Sequence, residues 1–165
     1  QLQQWVGCQG HNWGRAHTPD YVWLHTVLTD ASGVVGTCEA FSGSVKVGGT
    51  QLGPFSGLIL RLRDKTYRFD RLIDTWNHQV DFAEGQYSLQ LKRSQLRVEL
   101  RATADLNQVV CLGYEDPDAT MHFCMNSKLA SASIQITEGE FTQTFQATDC
   151  VALEWLSTQP KARVI

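Results

Sequence analysis

The residues best equipped for chemistry lie close together near the amino end of the chain. Residues 10–15 read Gly-His-Asn-Trp-Gly-Arg, and the two glycines let the backbone turn around the reactive side chains. His11 can donate or shuttle a proton, because an unperturbed imidazole has a pKa of about 6.5. Trp13 falls on the same side of an extended chain, where its ring can stabilise a neighbouring cation. We therefore predict catalytic roles for His11 and Trp13.

Asn12 and Arg15 belong to the same segment and can serve either a substrate or the local fold. Their amide and guanidinium groups can orient the histidine, or bind a carbonyl or carboxylate oxygen of a substrate. In the alternative interpretation they fasten a loop through side-chain to backbone hydrogen bonds, and Trp13 plugs one end of a barrel. We place Asn12 and Arg15 among the predicted substrate-binding residues.

The stretch after this segment is a strand with an aromatic face. One face carries Tyr21, Trp23, His25 and Val27, and the other carries Val22, Leu24, Thr26 and Leu28. Aromatic rings beside a histidine suit a flat or polyunsaturated ligand, because ring faces supply contact area and attract positive charge. The alternative is that these rings only pack in a core, around a histidine whose hydrogen-bonding groups all have partners. Tyr21, Trp23 and His25 are predicted to bind substrate.

A second strand late in the chain has an unusual polar face. Residues 121–128 read MHFCMNSK, which places Cys124 and Asn126 on one face beside His122. A strand that turns polar groups inward either lines a site or makes internal hydrogen bonds. Both interpretations stay open, and Cys124 and Asn126 are added to the predicted substrate-binding residues.

Other kinds of site have little support in the sequence. The spacing of His11, His17 and His25 is too loose for a typical metal site, and no Cys-x-x-Cys motif accompanies them. A Gly-x-Ser-x-Gly nucleophile elbow is absent from the sequence. The Gly48-Gly49 pair lies between strands, with no helix to help cradle a phosphate. We predict neither a metal nor a cofactor.

Composition restricts the possible partners. The chain has 165 residues, of which 42 % are hydrophobic and 19 % charged, with a net charge of -3. It is long enough for one domain with its own core, and it has no basic stripe for nucleic acid. It also lacks the run of about 18 apolar residues that a membrane-spanning segment needs.

The cysteines indicate a reducing environment. The five cysteines are odd in number and lack close pairing. This favours a reduced, mostly buried set over a disulfide such as Cys111–Cys124. We therefore expect a cytoplasmic location.

Alternating polar and apolar residues dominate from residue 21 onward, which is typical of antiparallel β-structure. Turn residues divide this pattern at intervals of about ten residues, and no stretch has a convincing helical period. The predicted strands cover residues 21–29, 35–46, 56–63, 66–72, 86–92, 96–103, 107–114, 121–136 and 141–156. An all-β domain of this kind protects its edges as a closed barrel or a two-sheet sandwich. We assign residues 1–157 to one domain and 158–165 to a tail.

Three segments together resemble a known superfamily: residues 9–14 (QGHNWG), 21–23 (YVW) and 124–128 (CMNSK). They are similar to the carboxy-terminal half of the tocopherol cyclase-like and carotenoid (hydroxyneurosporene) hydratase-like superfamily. The resemblance implies an antiparallel lipocalin-like β-barrel of about 8–10 strands with almost no helix. Such a barrel is normally the second of two, with a hydrophobic pocket near their junction. By this likeness, His11 and Trp13 match the superfamily's functional His-x-Trp pair.

The resemblance also implies an activity. Members protonate, hydrate or cyclise isoprenoid chains, and related two-barrel proteins catalyse pericyclic ring closures. The hydratases carry a Tyr-x-Asp element on a following strand, but residues 36–41 of this chain read GTCEAF, with only Glu39 nearby. This departure counts against simple hydratase chemistry.

Three hypotheses for function follow. The chain is part of an isoprenoid or polyene cyclase or hydratase, and an amino-terminal barrel of the same protein completes its site. Alternatively, it is a non-catalytic carrier or binding domain for a small apolar molecule. In a third hypothesis the domain is chiefly an interaction surface that completes another barrel.

Overall fold

The computed structural model describes residues 18–71, 73–74, 78–117, 119–157 and 163–164. Strands make up 78 % of the structure, and its described part contains no helix of seven residues or more. The strands are β1 (Tyr21–Asp30), β2 (Gly33–Val47), β3 (Thr50–Leu62), β4 (Lys65–Phe69), β5 (His78–Ala83), β6 (Gln86–Arg93), β7 (Leu96–Thr103), β8 (Val110–Glu115), β9 (Met121–Glu138), β10 (Phe141–Ser157) and β11 (Arg163–Val164). The predicted all-β class is therefore confirmed.

Strands β6 and β7 show how the alternating pattern builds the sheet. Leu89 lies directly opposite Leu100, and Leu91 lies opposite Val98. All four side chains are buried, with at most 1 % of their surface exposed. The polar residues between them lie on the opposite face, so this hairpin has one face in the core.

The β2–β3 hairpin is longer than the sequence predicts. Gly48 and Gly49 both have positive φ angles, 56° and 85°, which glycine adopts without a steric penalty in a two-residue connection. The predicted turn is thus confirmed. The ladder begins at the pair Val47 and Thr50, so β3 starts six residues before the predicted residue 56.

Strand pairing forms one antiparallel sheet with a short parallel addition. Its order is β4-β3-β2-β1-β10-β9-β7-β6-β5, while β8 pairs with β9, and β11 pairs in parallel with β8. Strand β9 pairs with β10 along one edge, and along the other edge its first part pairs with β8 and its second part with β7. The sheet is not closed by strand pairing. The predicted closed barrel is therefore not confirmed.

Side chains connect the two ends of this sheet. Nη1 of Arg93, at the end of β6, lies 3.5 Å from Oδ1 of Asp74, and the guanidinium lies 5.0 Å from the ring centre of Phe69 in β4. At the other end of β4, Lys65 forms an ion pair with Glu138 of β9. We call this junction between β4 and the strands across from it the seam.

The buried hydrophobic side chains of the described residues form a core on the inner side of the sheet. It includes Phe69 and Tyr87, both at most 1 % exposed. The Tyr87 hydroxyl lies 2.8 Å from the Ser42 hydroxyl, which in turn lies 2.8 Å from that of Ser56. These hydrogen bonds satisfy the buried polar groups and join β6 to β2 and β3 across the interior.

Two strands were not predicted. Strand β5 has Val80 and Phe82 on one face, but it has only six residues. Strand β11 has only two residues, which is too short for periodicity to reveal. It lies within the predicted tail, where Arg163 pairs with Val110.

The described cysteines agree with the sequence. Cys38, Cys111 and Cys124 are buried and free, and Cys150 is exposed and free. The predicted burial is thus confirmed for three of these four, and the reduced state stays a prediction. Cys8 lies outside the described residues.

Candidate functional site

The predicted site residues on β1 and β9 share one face of the sheet. This face lies opposite the core, because Val22, Leu24 and Leu28 on the other side of β1 are at most 1 % exposed. The side chains of Tyr21, Trp23 and His25 are only half-buried. We define the outer face as Tyr21, Trp23, His25, Glu39, Phe41, Cys124, Asn126, Lys128 and Glu154.

The remaining predicted site residues lie outside the described part of the structure. They are His11, Asn12, Trp13 and Arg15. Their predicted roles therefore stay predictions. His17, the third histidine of the disfavoured metal site, also lies outside it.

Strand register explains why residues distant in sequence meet on the outer face. Trp23 lies opposite Glu154 on one side and opposite Phe41 on the other. Glu154 in turn lies opposite Asn126. Side chains directly opposite each other in an antiparallel pair point to the same face. These four residues therefore form one row across β9, β10, β1 and β2.

A hydrogen bond between Tyr21 and Cys124 connects the predicted site residues on β1 with those on β9. The Tyr21 hydroxyl donates a hydrogen bond of 3.2 Å to the Cys124 sulfur. Burial raises the pKa of Tyr21, and the hydrogen bond to Cys124 raises it further. Burial also raises the pKa of Cys124, against a smaller opposing effect of Tyr21. Both groups are protonated at neutral pH, so Cys124 is a thiol rather than a nucleophilic thiolate.

Glu154 lies at the centre of the polar contacts. Its carboxylate accepts a hydrogen bond from the Asn126 amide. It also forms an ion pair with Lys128, whose Nζ lies 2.9 Å from Oε1. The Cys124 sulfur lies 4.0 Å from its second oxygen. Asn126 is only 8 % exposed, so Glu154 satisfies an amide that is otherwise buried.

Trp23 is surrounded by polar and aromatic groups. Its indole nitrogen donates a hydrogen bond of 3.1 Å to Glu39, and Nζ of Lys128 lies 5.8 Å from the ring centre. Its ring stacks on His25, with centres 6.1 Å apart and planes inclined by 12°. In the same way Tyr21 stacks on Phe41, with centres 6.3 Å apart. The outer face thus presents aromatic surface flanked by two carboxylates.

His25 is expected to make stability depend on pH. Burial lowers its pKa below the ordinary value of 6.5, outweighing the opposite effect of Glu39. As pH falls, the unfolded chain therefore takes up a proton before the folded protein does, so acid favours unfolding. We expect the free energy of unfolding to decrease between pH 8 and pH 5, and to decrease less in His25→Gln.

Urea unfolding of both proteins at the two pH values measures this effect. Because carboxylates also titrate in acid, the relevant quantity is the difference between the two pH-dependent losses. Equal losses in wild type and His25→Gln would contradict the assignment.

Four contributors to the outer face were not among the predicted site residues: Glu39, Phe41, Lys128 and Glu154. Glu39 was noted only for its position, while Phe41 and Glu154 were not singled out. Glu154 had a detectable signal, because it is the only charged residue in the apolar run at 151–156 (VALEWL). A lone charge in such a run indicates a face that is not part of the core.

The structure gives no indication of a metal centre in its described part. No group of three or more His, Cys, Asp or Glu side chains there is arranged to hold a metal ion. His122 instead contacts Asp116, with 3.1 Å between Nε2 and Oδ2.

Comparison with known proteins adds no family assignment. Neither the protein-family models, nor the curated proteins, nor the solved structures contain a match to this chain. Among the described residues, no helix has the length and apolar character to cross a membrane.

Proposed function

We propose that the outer face binds a small hydrophobic isoprenoid or polyene. As part of a larger protein, the chain would act on this molecule as a cyclase or hydratase. The observation that carries the proposal is that Tyr21, Trp23, His25, Cys124 and Asn126, predicted from two distant segments, share one connected face. The resemblance to isoprenoid-processing proteins supports the chemical class of the ligand.

The chemistry of the outer face suits a polyene that develops positive charge. The rings of Tyr21, Trp23 and Phe41 offer apolar contact area, and their faces attract cations. Glu39 and Glu154 add negative charge on either side of Trp23. The core interior is occupied by large side chains such as Tyr87 and Phe69, which favours the outer face as the ligand site.

His11 and Trp13 are the proposed catalytic residues, on the resemblance alone. Trp13 precedes Tyr21 by eight residues, and an extended chain of that length reaches at most about 28 Å. The segment is therefore long enough to reach any part of the outer face. We further propose that an amino-terminal barrel of the same protein covers this face and completes the site.

A non-catalytic carrier is the second candidate, and the protonation states on the outer face favour it. Protonation of an alkene needs a strong, well-positioned acid. The raised pKa values make Tyr21 and Cys124 weaker acids than usual. If His11 supplies no acid, the face can bind a polyene without changing it.

Binding is tested with retinol, a fluorescent isoprenoid polyene, together with native mass spectrometry of the purified chain. The proposal predicts saturable binding of one retinol per chain. It also predicts chemical shift changes at Trp23 and His25 when binding is followed by NMR. Unsaturable partitioning, or shifts confined to other strands, would overturn it.

Chemical analysis of the recovered molecule distinguishes an enzyme, which changes its ligand, from a carrier, which does not. The chain is incubated with squalene, a linear polyene, and the extract is analysed by chromatography and mass spectrometry. Hydration yields a product heavier by one water, whereas cyclisation yields an isomer of equal mass. The same experiment is run on a longer protein that includes the proposed amino-terminal barrel, and recovery of unchanged squalene there would favour the carrier.

A further inference from the structure

An arginine-rich cleft lies at the seam, apart from the outer face. It has a volume of about 550 Å³ and is lined by Thr66, Arg68, Asp70, Arg71 and Arg93. We call it the arginine cleft. It shares no residue with the outer face, so the proposed isoprenoid site does not account for it.

The fold holds one of these guanidinium groups in place. Arg93 pairs with Asp74, whose side chain is only 2 % exposed, while 43 % of the Arg93 side chain stays exposed. The guanidinium also lies over the ring of buried Phe69. A guanidinium fixed by a buried carboxylate and an aromatic ring loses little further freedom when it binds a ligand.

The other groups in the arginine cleft add positive charge and donors. Arg68 pairs with Asp70. Hydrogen bonding by Arg68, and to a smaller degree the charge of Arg71, lower the pKa of Asp70. Three arginines therefore face two carboxylates, Asp70 and Asp74, and the Thr66 hydroxyl adds a further donor. The local balance is one positive charge in excess.

We propose that the arginine cleft binds the phosphate group of a small phosphorylated molecule. Guanidinium groups bind phosphate through paired hydrogen bonds. Arg68 donates to Asp70 through Nε and Nη2, and Arg93 donates to Asp74 through Nη1. The other N–H groups of these two arginines, those of Arg71 and the Thr66 hydroxyl still outnumber what the two oxygens of a carboxylate ligand can accept, which favours phosphate. The volume lies within the range of small-molecule sites, so there is room for the rest of a phosphate ester.

The test is an NMR titration of the chain with inorganic phosphate, glycerol 3-phosphate and acetate at constant ionic strength. We expect saturable shifts of backbone amides at Thr66, Arg68 and Arg71 with both phosphates, and weaker binding of acetate. Arg71→Gln is expected to weaken phosphate binding about fivefold or more, because it removes a charged donor. Arg101→Gln, an exposed position on β7, is the matched control.

Three outcomes would overturn the proposal. The first is shifts spread over all basic residues, which indicates unspecific screening. The second is equal weakening by Arg71→Gln and Arg101→Gln. The third is equal affinity for acetate and phosphate, which removes the argument from the number of donors. Retinol binding is measured on the same variants. Loss of the phosphate proposal would therefore leave the proposed isoprenoid site on the outer face independently testable.

Discussion

Leu24→Ala is expected to lower the free energy of unfolding by about 2–5 kcal/mol. Leu24 has none of its surface exposed and lies opposite Leu153 and Ala40 in the middle of the sheet. The shorter side chain loses apolar burial and leaves a cavity that neighbouring strands cannot fill without moving. Urea unfolding monitored by circular dichroism measures the loss.

The matched control for Leu24→Ala is Val27→Ala, on the other face of the same strand. Val27 is only half-buried, so we expect a clearly smaller loss. A loss below about 1 kcal/mol for Leu24→Ala would show that this face of β1 is not the core. Folded Leu24→Ala protein is expected to keep its retinol affinity, because the substitution leaves the outer face intact.

Trp23→Ala is expected to weaken retinol binding at least tenfold, which corresponds to about 1.4 kcal/mol. Trp23 lies at the centre of the row formed by Asn126, Glu154 and Phe41, and its ring stacks on His25. Its removal takes away the largest aromatic surface of the outer face. Retinol fluorescence titration measures the change in affinity.

Two controls separate this effect from general loss of apolar surface. Trp23→Phe keeps an aromatic ring, so it should retain most of the affinity. Phe141→Ala removes a ring that is 62 % exposed at the start of β10, away from the outer face, and should leave binding unchanged. If Phe141→Ala weakens binding as much as Trp23→Ala, retinol adsorbs to exposed rings in general.

Local chemistry made much of the β-structure predictable. The alternation in β6 and β7 marks one buried face, because successive side chains point to opposite sides of a strand. Gly48 and Gly49 identify a turn, because few other residues adopt positive φ without strain. The two faces of β1 were likewise correctly separated by the period of two. Each of these features depends on residues close together in the chain.

Tertiary structure decided which faces became the core and which residues meet. Both faces of β1 are largely apolar, so the sequence could not show that Leu24 faces inward and Trp23 outward. Nor could it show that Glu154 lies between Trp23 and Asn126. That depends on the order β1-β10-β9 and on register between strands more than 100 residues apart in the chain. Periodicity within a strand specifies its two faces but carries no information about its neighbours.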